Sequence, residues 1–300
     1  MRILTKFLAA GLALAFPFSS VASRFPAGGQ GSAASCPASE LLLNFDVYRW
    51  GQLREQAAIW RMPASPAFFF RSGMSIDADG APNAYNADDT GLDYLHNAGQ
   101  PGQWDGIVED EDGNPVVQGP DDPYPGYYIS CTSLFDHTKH HRDPARFVDA
   151  TQIPYVALPG DLAERTATRL GDLVLVYNSR TDRFSFAIFA DIGAFGEGSI
   201  ALAENLGIHS DARRGGSPGG IFYLVFPGSG DGQPKTLEEI NRSGAELIES
   251  LGGVDRILTC AALAQQQAES APTDGGSPGE FPGTERSFTP AALPNDAPAN

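Results

Sequence analysis

Two acidic residues six positions apart, Asp191 and Glu197, stand where a fold could bring two carboxylates into one cleft. Asp191 closes an apolar run over residues 184–192, whose Phe and Ile content reads as a strand. Glu197 lies in the glycine-rich loop that follows, Gly193-Ala194-Phe195-Gly196-Glu197-Gly198. One carboxyl at a strand end and a second on the next loop suit glycoside hydrolysis, in which one group protonates the leaving oxygen and the other activates water or attacks the sugar. Their surroundings divide the work. The apolar run disfavours charge on Asp191 and makes it the general acid. The helix start after Glu197 favours an ionised carboxylate and makes it the base. A phosphate or dinucleotide site on the same loop is excluded: G-x-x-G-x-G runs opposite to the dinucleotide fingerprint, and Glu197 would repel phosphate.

The elements that must hold this pair are legible nearby. Residues 173–177 and 184–192 form two β-rich runs joined by a polar turn over 178–183, which predicts a hairpin. Ser199 is placed to cap a short helix over 200–206, with Gly207 just past its end. PYVALP at 154–159 and the apolar run at 220–228 predict two more strands, Phe68-Phe69-Phe70 opens another, and 129–134 reads as a strand too. Residues 39–62 carry apolar side chains at helical spacings and predict one or two peripheral helices broken at Gly51. Thr236-Leu237-Glu238-Glu239 is a capping box ahead of a helix with Ile240, Leu247, Ile248 and Leu251 on one face and Gly252 at its end. About seven short strands, few helices and dense Gly/Pro turns predict a β-rich (α+β) domain closed enough to hide its edges.

FAIFADIG, GEGSIALAENLGI, the upstream PYVALP and the downstream GIFYLVFPGSG together resemble the fungal-type chitosanases, glycoside hydrolase family 75. The resemblance covers roughly residues 68–253, and the GEGS stretch is its most specific part. It implies that Asp191, on an F-x-D strand end, and Glu197, in a G-E-x-S turn, are the essential carboxylates. It also implies that the D-x-D-G segment Asp77-Ala78-Asp79-Gly80 supplies acidic subsites for the glucosamine ammonium groups. At the level of fold, a strand ending in D-x-G, a loop and a short helix look like half of a six-stranded double-psi β-barrel, in which a strand-end Asp faces a sugar groove in family-45 glucanases and wall-loosening proteins.

Asp77, Asp79, Asp88, Asp89 and Asp93 crowd one loop-rich stretch. Besides ammonium subsites, two other readings fit them. D-A-D-G, like Asp110-Glu111-Asp112-Gly113-Asn114, is similar to a calcium loop but lacks the full twelve-residue spacing with a terminal Glu. Surface loops also use aspartates to close their own turns. Trp104, Tyr124, Tyr127 and Tyr128 lie on polar loops, where aromatics either stack on sugars or simply pack. His137 and His141 would share a helix face, yet the segment has no apolar support and no HExxH glutamate, so no zinc site is expected. No cofactor is expected.

The first 23 residues have a basic start, an apolar run and small residues at Val21-Ala22-Ser23, the pattern of a secretory signal peptide. The expected organisation is a signal peptide over 1–23, a linker over 24–38, a catalytic domain over 39–263 and a disordered Pro/Gly/Ser-rich tail over 264–300. In an oxidising compartment one pair of the three cysteines should bridge; Cys131 with Cys260 is expected, leaving Cys36 in a mobile segment. The chain carries a net charge of −17, and loss of Arg2 and Lys6 with the signal leaves 18 basic against 37 acidic residues, −19. That excess argues against nucleic acid or an anionic membrane and favours a polycation, although acidity also serves solubility. The expected protein is therefore a secreted, monomeric endo-chitosanase that cleaves β-1,4 links between glucosamine units with inversion. The competing expectation is a double-psi barrel that binds or hydrolyses another cell-wall polysaccharide.

Overall fold

The computed structural model describes Cys36, residues 39–49 and residues 52–270. The predicted signal peptide, most of the linker and the tail beyond Ser270 lie outside the described residues. The chain forms β1 (Glu40–Arg49), β2 (Gln52–Arg61) and β3 (Phe68–Asp77), then a long loop-rich segment that carries only the short β4 (Gly99–Gln100) and β5 (Gln103–Trp104). There follow β6 (Tyr155–Leu158), α1 (Gly160–Arg165), β7 (Leu173–Asn178), β8 (Arg183–Ile192), β9 (Glu197–Ser199), α2 (Ile200–Asn205), β10 (Ser217–Phe226), α3 (Leu237–Ser250) and α4 (Val254–Ser270).

Six of these strands close into a mixed β-barrel in the order β3, β10, β7, β8, β6, β9 and back to β3. The contacts β3–β10, β10–β7, β7–β8 and β6–β9 are antiparallel, while β6–β8 and β9–β3 are parallel. The expected architecture, a six-stranded barrel with peripheral helices, is what the chain adopts. Strands buried on both faces read as continuous apolar runs, and this is why β7, β8 and β10 were legible. Alternate residues such as Phe68, Phe70, Val174, Val176, Phe189 and Tyr223 fill the barrel, and the intervening ones, among them Phe69, Leu175, Ile188 and Phe222, form an outer core. The predicted strand over 129–134 is absent; its backbone makes one isolated bridge instead, Ser130 with Ile107.

Capping went as the residue types dictate. Ser199 accepts a hydrogen bond from the Leu202 N–H at the start of α2, and Thr236 with Glu239 forms the full capping box of α3. Ile240 and Ile248 of α3, with Ile257 and Ala261 of α4, complete the outer core.

Three further expectations are corrected. Residues 39–62 form the antiparallel hairpin β1–β2, not helices. Phe45 and Val47 are buried between exposed Asp46 and Tyr48, so the stretch has period two as well as helical spacings, and pairing along ten residues of each strand settles it. The disulfide joins Cys36 to Cys260, with Cα atoms 5.2 Å apart, and Cys131 is a free thiol. The bridge ties the segment before β1 to α4, whereas Cys131 sits in its own loop beside Asp79 and Asp191, its N–H bonded to the Gly106 carbonyl. Finally, α4 continues to Ser270, seven residues into the stretch expected to be a tail. No helix among the described residues is long and apolar enough to cross a membrane.

Candidate active site

The end of β8 and the short β9 flank the same residue of β6. Pairing between β6 and β8 slips by one residue after Val156, so Asp191 rather than Ala190 stands opposite Ala157. On its other side Ala157 pairs with Glu197. Residues paired in register project from one face of a sheet, and neighbouring strands lie about 4.8 Å apart. The backbones at Asp191 and Glu197 are therefore separated by about 10 Å, two strand spacings, with Ala157 between them. The β-bulge supplies this alignment, since without the slip Asp191 would miss its place opposite Ala157.

The glycine loop then folds back on Glu197. The Ala194 N–H donates to Glu197 Oε2 at 2.8 Å. A Cβ on Gly193 would lie 2.6 Å from that same oxygen and 3.1 Å from Ala157 Cβ, so a side chain there would displace the carboxylate.

A third strand brings the D-A-D-G segment to the same place. β3 pairs in parallel with β9, Ser75 opposite Glu197 and Asp77 opposite Ser199, which sets Asp77 two residues along on the face of Glu197. The Asp79 N–H turns back to Asp77 Oδ1 at 2.8 Å. Asp79 Oδ1 accepts a 2.6 Å hydrogen bond from the Tyr85 hydroxyl. The hydroxyl of fully buried Tyr155, two residues before Ala157 on β6, donates to the Asp79 carbonyl at 3.0 Å and also bonds the Asp77 carboxylate. Carboxylate oxygens of Asp77, Asp79 and Asp191 come within 4.8 Å of one another, close enough to share a hard cation.

The loop-rich segment roofs the cluster. The N–H and hydroxyl of Ser133 donate to Asp191 Oδ1 at 2.8 and 2.6 Å, and the Ile192 N–H adds a third bond to that oxygen at 2.9 Å. A Cβ on Gly106 would stand 2.7 Å from Asp79 Oδ2, so glycine lets the backbone close over that carboxylate. Ser130 clamps the roof by accepting from the Gly80 N–H and donating to the Gly106 carbonyl, both at 3.0 Å.

Burial raises the proton affinity of Asp77, Asp79 and Asp191. Loss of solvent pushes the Asp77 carboxyl well above the usual carboxylate range, with Glu197 and then Asp191 adding to the effect. Asp79 is pushed up by burial and then by Asp77 and Asp191. Asp191 is raised to about 6, again by burial, with the donors on Ser133 and Ile192 opposing the shift. Tyr85 and Tyr155 move upward through burial and the nearby aspartates, so both stay protonated as donors. Burial likewise keeps Cys131 a neutral thiol beside Asp79 and Asp191. Carboxyls this close and this dry share protons rather than all ionising, which places an acid and a base in one site near neutral pH.

Asp191, Glu197, Asp77 and Asp79, four positions singled out in the sequence, thus converge. Asp77 and Asp79 adjoin the pair. Asp89 and Asp93 of the same stretch do structural work. Asp89 accepts from the Leu95 N–H and pairs with Arg213, and Asp93 is held by Asn97. Asp110 closes its own turn on the N–H groups of Asp112 and Asn114. His137 and His141 are exposed and outside the cluster. Tyr85, Ser133, Tyr155 and Gly106 were not singled out. Of these only Tyr155 had a signal, the period-two spacing to Ala157 within PYVALP. A separate cavity of about 500 Å³, lined in part by Gly80, Tyr124, Phe147 and Lys235, contains none of the four carboxylates.

No known protein family matches this chain, and no curated protein matches it either.

Proposed function

We propose that the protein is an endo-acting glycoside hydrolase that cleaves chitosan at β-1,4 bonds between glucosamine units, with inversion at the anomeric carbon. The observation that carries this reading is the placement of Asp191 and Glu197 on either side of Ala157. Two strand spacings between the backbones suit the roughly 6.5–9.5 Å carboxyl separation that leaves room for a water beneath the sugar. Asp191, raised to about 6, holds a proton for the leaving oxygen in mildly acidic solution. Glu197, anchored by the Ala194 N–H, takes the proton of the attacking water. The resemblance of the GEGS stretch to family 75 supports the same pair. The acidic surroundings, and a chain charge of −17, support a cationic polymer over a neutral glucan. The disulfide fits the expected secreted location.

The test is release of reducing ends from chitosan, chitin, cellulose and peptidoglycan side by side. Chitosan should be cleaved fastest, and a preference for any other polymer overturns the substrate assignment. Because charges are screened over about 8 Å at 0.15 M salt, raising NaCl from about 10 to about 500 mM should lower kcat/KM on polymeric chitosan severalfold, mainly through KM. A flat salt profile removes electrostatic attraction from the account.

A further inference from the structure

The β1–β2 hairpin joins the barrel only at its base, where Trp60 and Arg61 pair with Phe69 and Phe68. It is held over the glycine loop by aromatic packing: Phe45 stacks on Phe195 at 5.6 Å, and Phe195 packs on Phe70 at 4.5 Å. Between the hairpin, α1 and the loop runs a groove of about 450 Å³. Asp46 and Tyr48 line it from the hairpin, Asp161 and Arg165 from α1, and Gly193 and Ala194 from the loop. Its floor is the backbone that grips Glu197, since the Ala194 N–H at the groove is the donor to Glu197 Oε2. Glu197 itself does not line the groove; the two meet through the loop backbone at Gly193 and Ala194.

Its chemistry suits an amino sugar. Tyr48 is 59% exposed, an aromatic face with nothing packed over much of it. Such a face takes the apolar side of a pyranose ring or a nearby ammonium group. Asp46 and Asp161 are exposed carboxylates on opposite walls, and Asp46 is oriented by the Gln56 side-chain amide at 2.6 Å. Arg165 presents donors that suit sugar hydroxyls.

We infer that this groove binds the glucosamine units on the Glu197 side of the scissile bond, with Tyr48 as the stacking platform and Asp46 and Asp161 as ammonium partners. The inference rests on the hydrolase reading above, and the experiment separates the two. The full chain, a Tyr48→Ala variant, an Asp46→Asn/Asp161→Asn double variant and a Glu249→Gln variant on the exposed face of α3 are compared. Calorimetry gives Kd for glucosamine hexasaccharide and for cellohexaose, and reducing-end assays give kcat and KM on chitosan. Tyr48→Ala and the double variant should each weaken hexasaccharide binding about tenfold, with the loss in kcat/KM residing in KM. The double variant should lose its preference for the amino sugar over cellohexaose, and Glu249→Gln should bind as the wild type does. If the wild type cleaves chitosan but both groove variants bind the hexasaccharide as it does, the groove is overturned and the hydrolase reading stands. If the wild type binds without cleaving and the groove variants lose that binding, the groove stands and the hydrolase reading falls. If the wild type neither binds nor cleaves, both fall.

Discussion

The ends of β8 and β3 each place a buried aspartate in the same cluster, yet the two are built differently. Asp191, at the end of β8, directs one oxygen at three donors, two on Ser133 and one on Ile192. Asp77, at the end of β3, accepts from the Asp79 N–H, lies beside the Tyr155 hydroxyl, and faces Glu197 and Asp191. Burial raises both, but donors to the charged form restrain Asp191 to about 6, while like charges drive Asp77 further up. The difference teaches that burial alone does not assign a role; the balance of donors against neighbouring charge does. A carboxyl near 6 can give and regain its proton in mildly acidic solution, whereas burial and neighbouring like charge favour the neutral form of Asp77.

The comparison breaks most visibly in the rates. Asp191→Asn and Glu197→Gln should each lower kcat on chitosan by about 10³-fold, the size of general acid or base catalysis. Asp77→Asn, which keeps a neutral hydrogen-bonding side chain in place, should act mainly on KM. The first product should carry the inverted α anomer, followed by NMR on freshly cleaved chitosan. Equal losses in kcat for Asp77→Asn and Asp191→Asn, together with a retained β anomer, would make the near pair of aspartates the catalytic one, because close carboxyls belong to retaining enzymes.

Stability against pH gives a smaller effect of defined sign. The folded Asp77 carboxyl holds its proton to a higher pH than the unfolded one, whose ordinary value is 3.8. Above that value the native state binds more protons than the unfolded state, so stability falls as pH rises until the folded carboxyl has titrated. Tm should therefore decline from about pH 4 upward. Asp77→Asn should flatten that decline and raise Tm by a few degrees at neutral pH. The scans are run with EDTA, so that no cation takes the place of the proton. A wild-type Tm that climbs over this range contradicts the assignment of Asp77.

Ser133→Ala should have the smallest effect and the most specific one. Losing the hydroxyl donor raises the proton affinity of Asp191 further, and the alkaline limb of kcat/KM should move up by about one pH unit. A Ser133→Thr variant should restore the limb. A lowered plateau with an unmoved limb would mean that Ser133 only holds the loop in place.

Local signals carried the barrel strands a long way. β7, β8 and β10 read as strands because two-sided burial demands continuous apolar runs, and α3 read as a helix because Thr236 and Glu239 satisfy its first N–H groups. The same local signals failed for residues 39–62, where helical and period-two spacings coexist and long-range pairing chose the hairpin. They also failed for the cysteines. Which thiols meet depends on where α4 ends up relative to the start of β1, and no spacing in the chain encodes that.

The sequence by itself singled out four carboxylates, Asp191 and Glu197 from a strand end and a glycine loop, and Asp77 and Asp79 from the resemblance of D-x-D-G to the family-75 segment. Only the tertiary structure decided that they belong to one cluster. A one-residue slip between β6 and β8 sets Asp191 across Ala157 from Glu197, parallel pairing of β3 with β9 adds Asp77, and the roof over 105–133 removes the solvent. Proton affinities follow from that enclosure, since desolvation and the distance between like charges are properties of the folded arrangement and not of any residue alone.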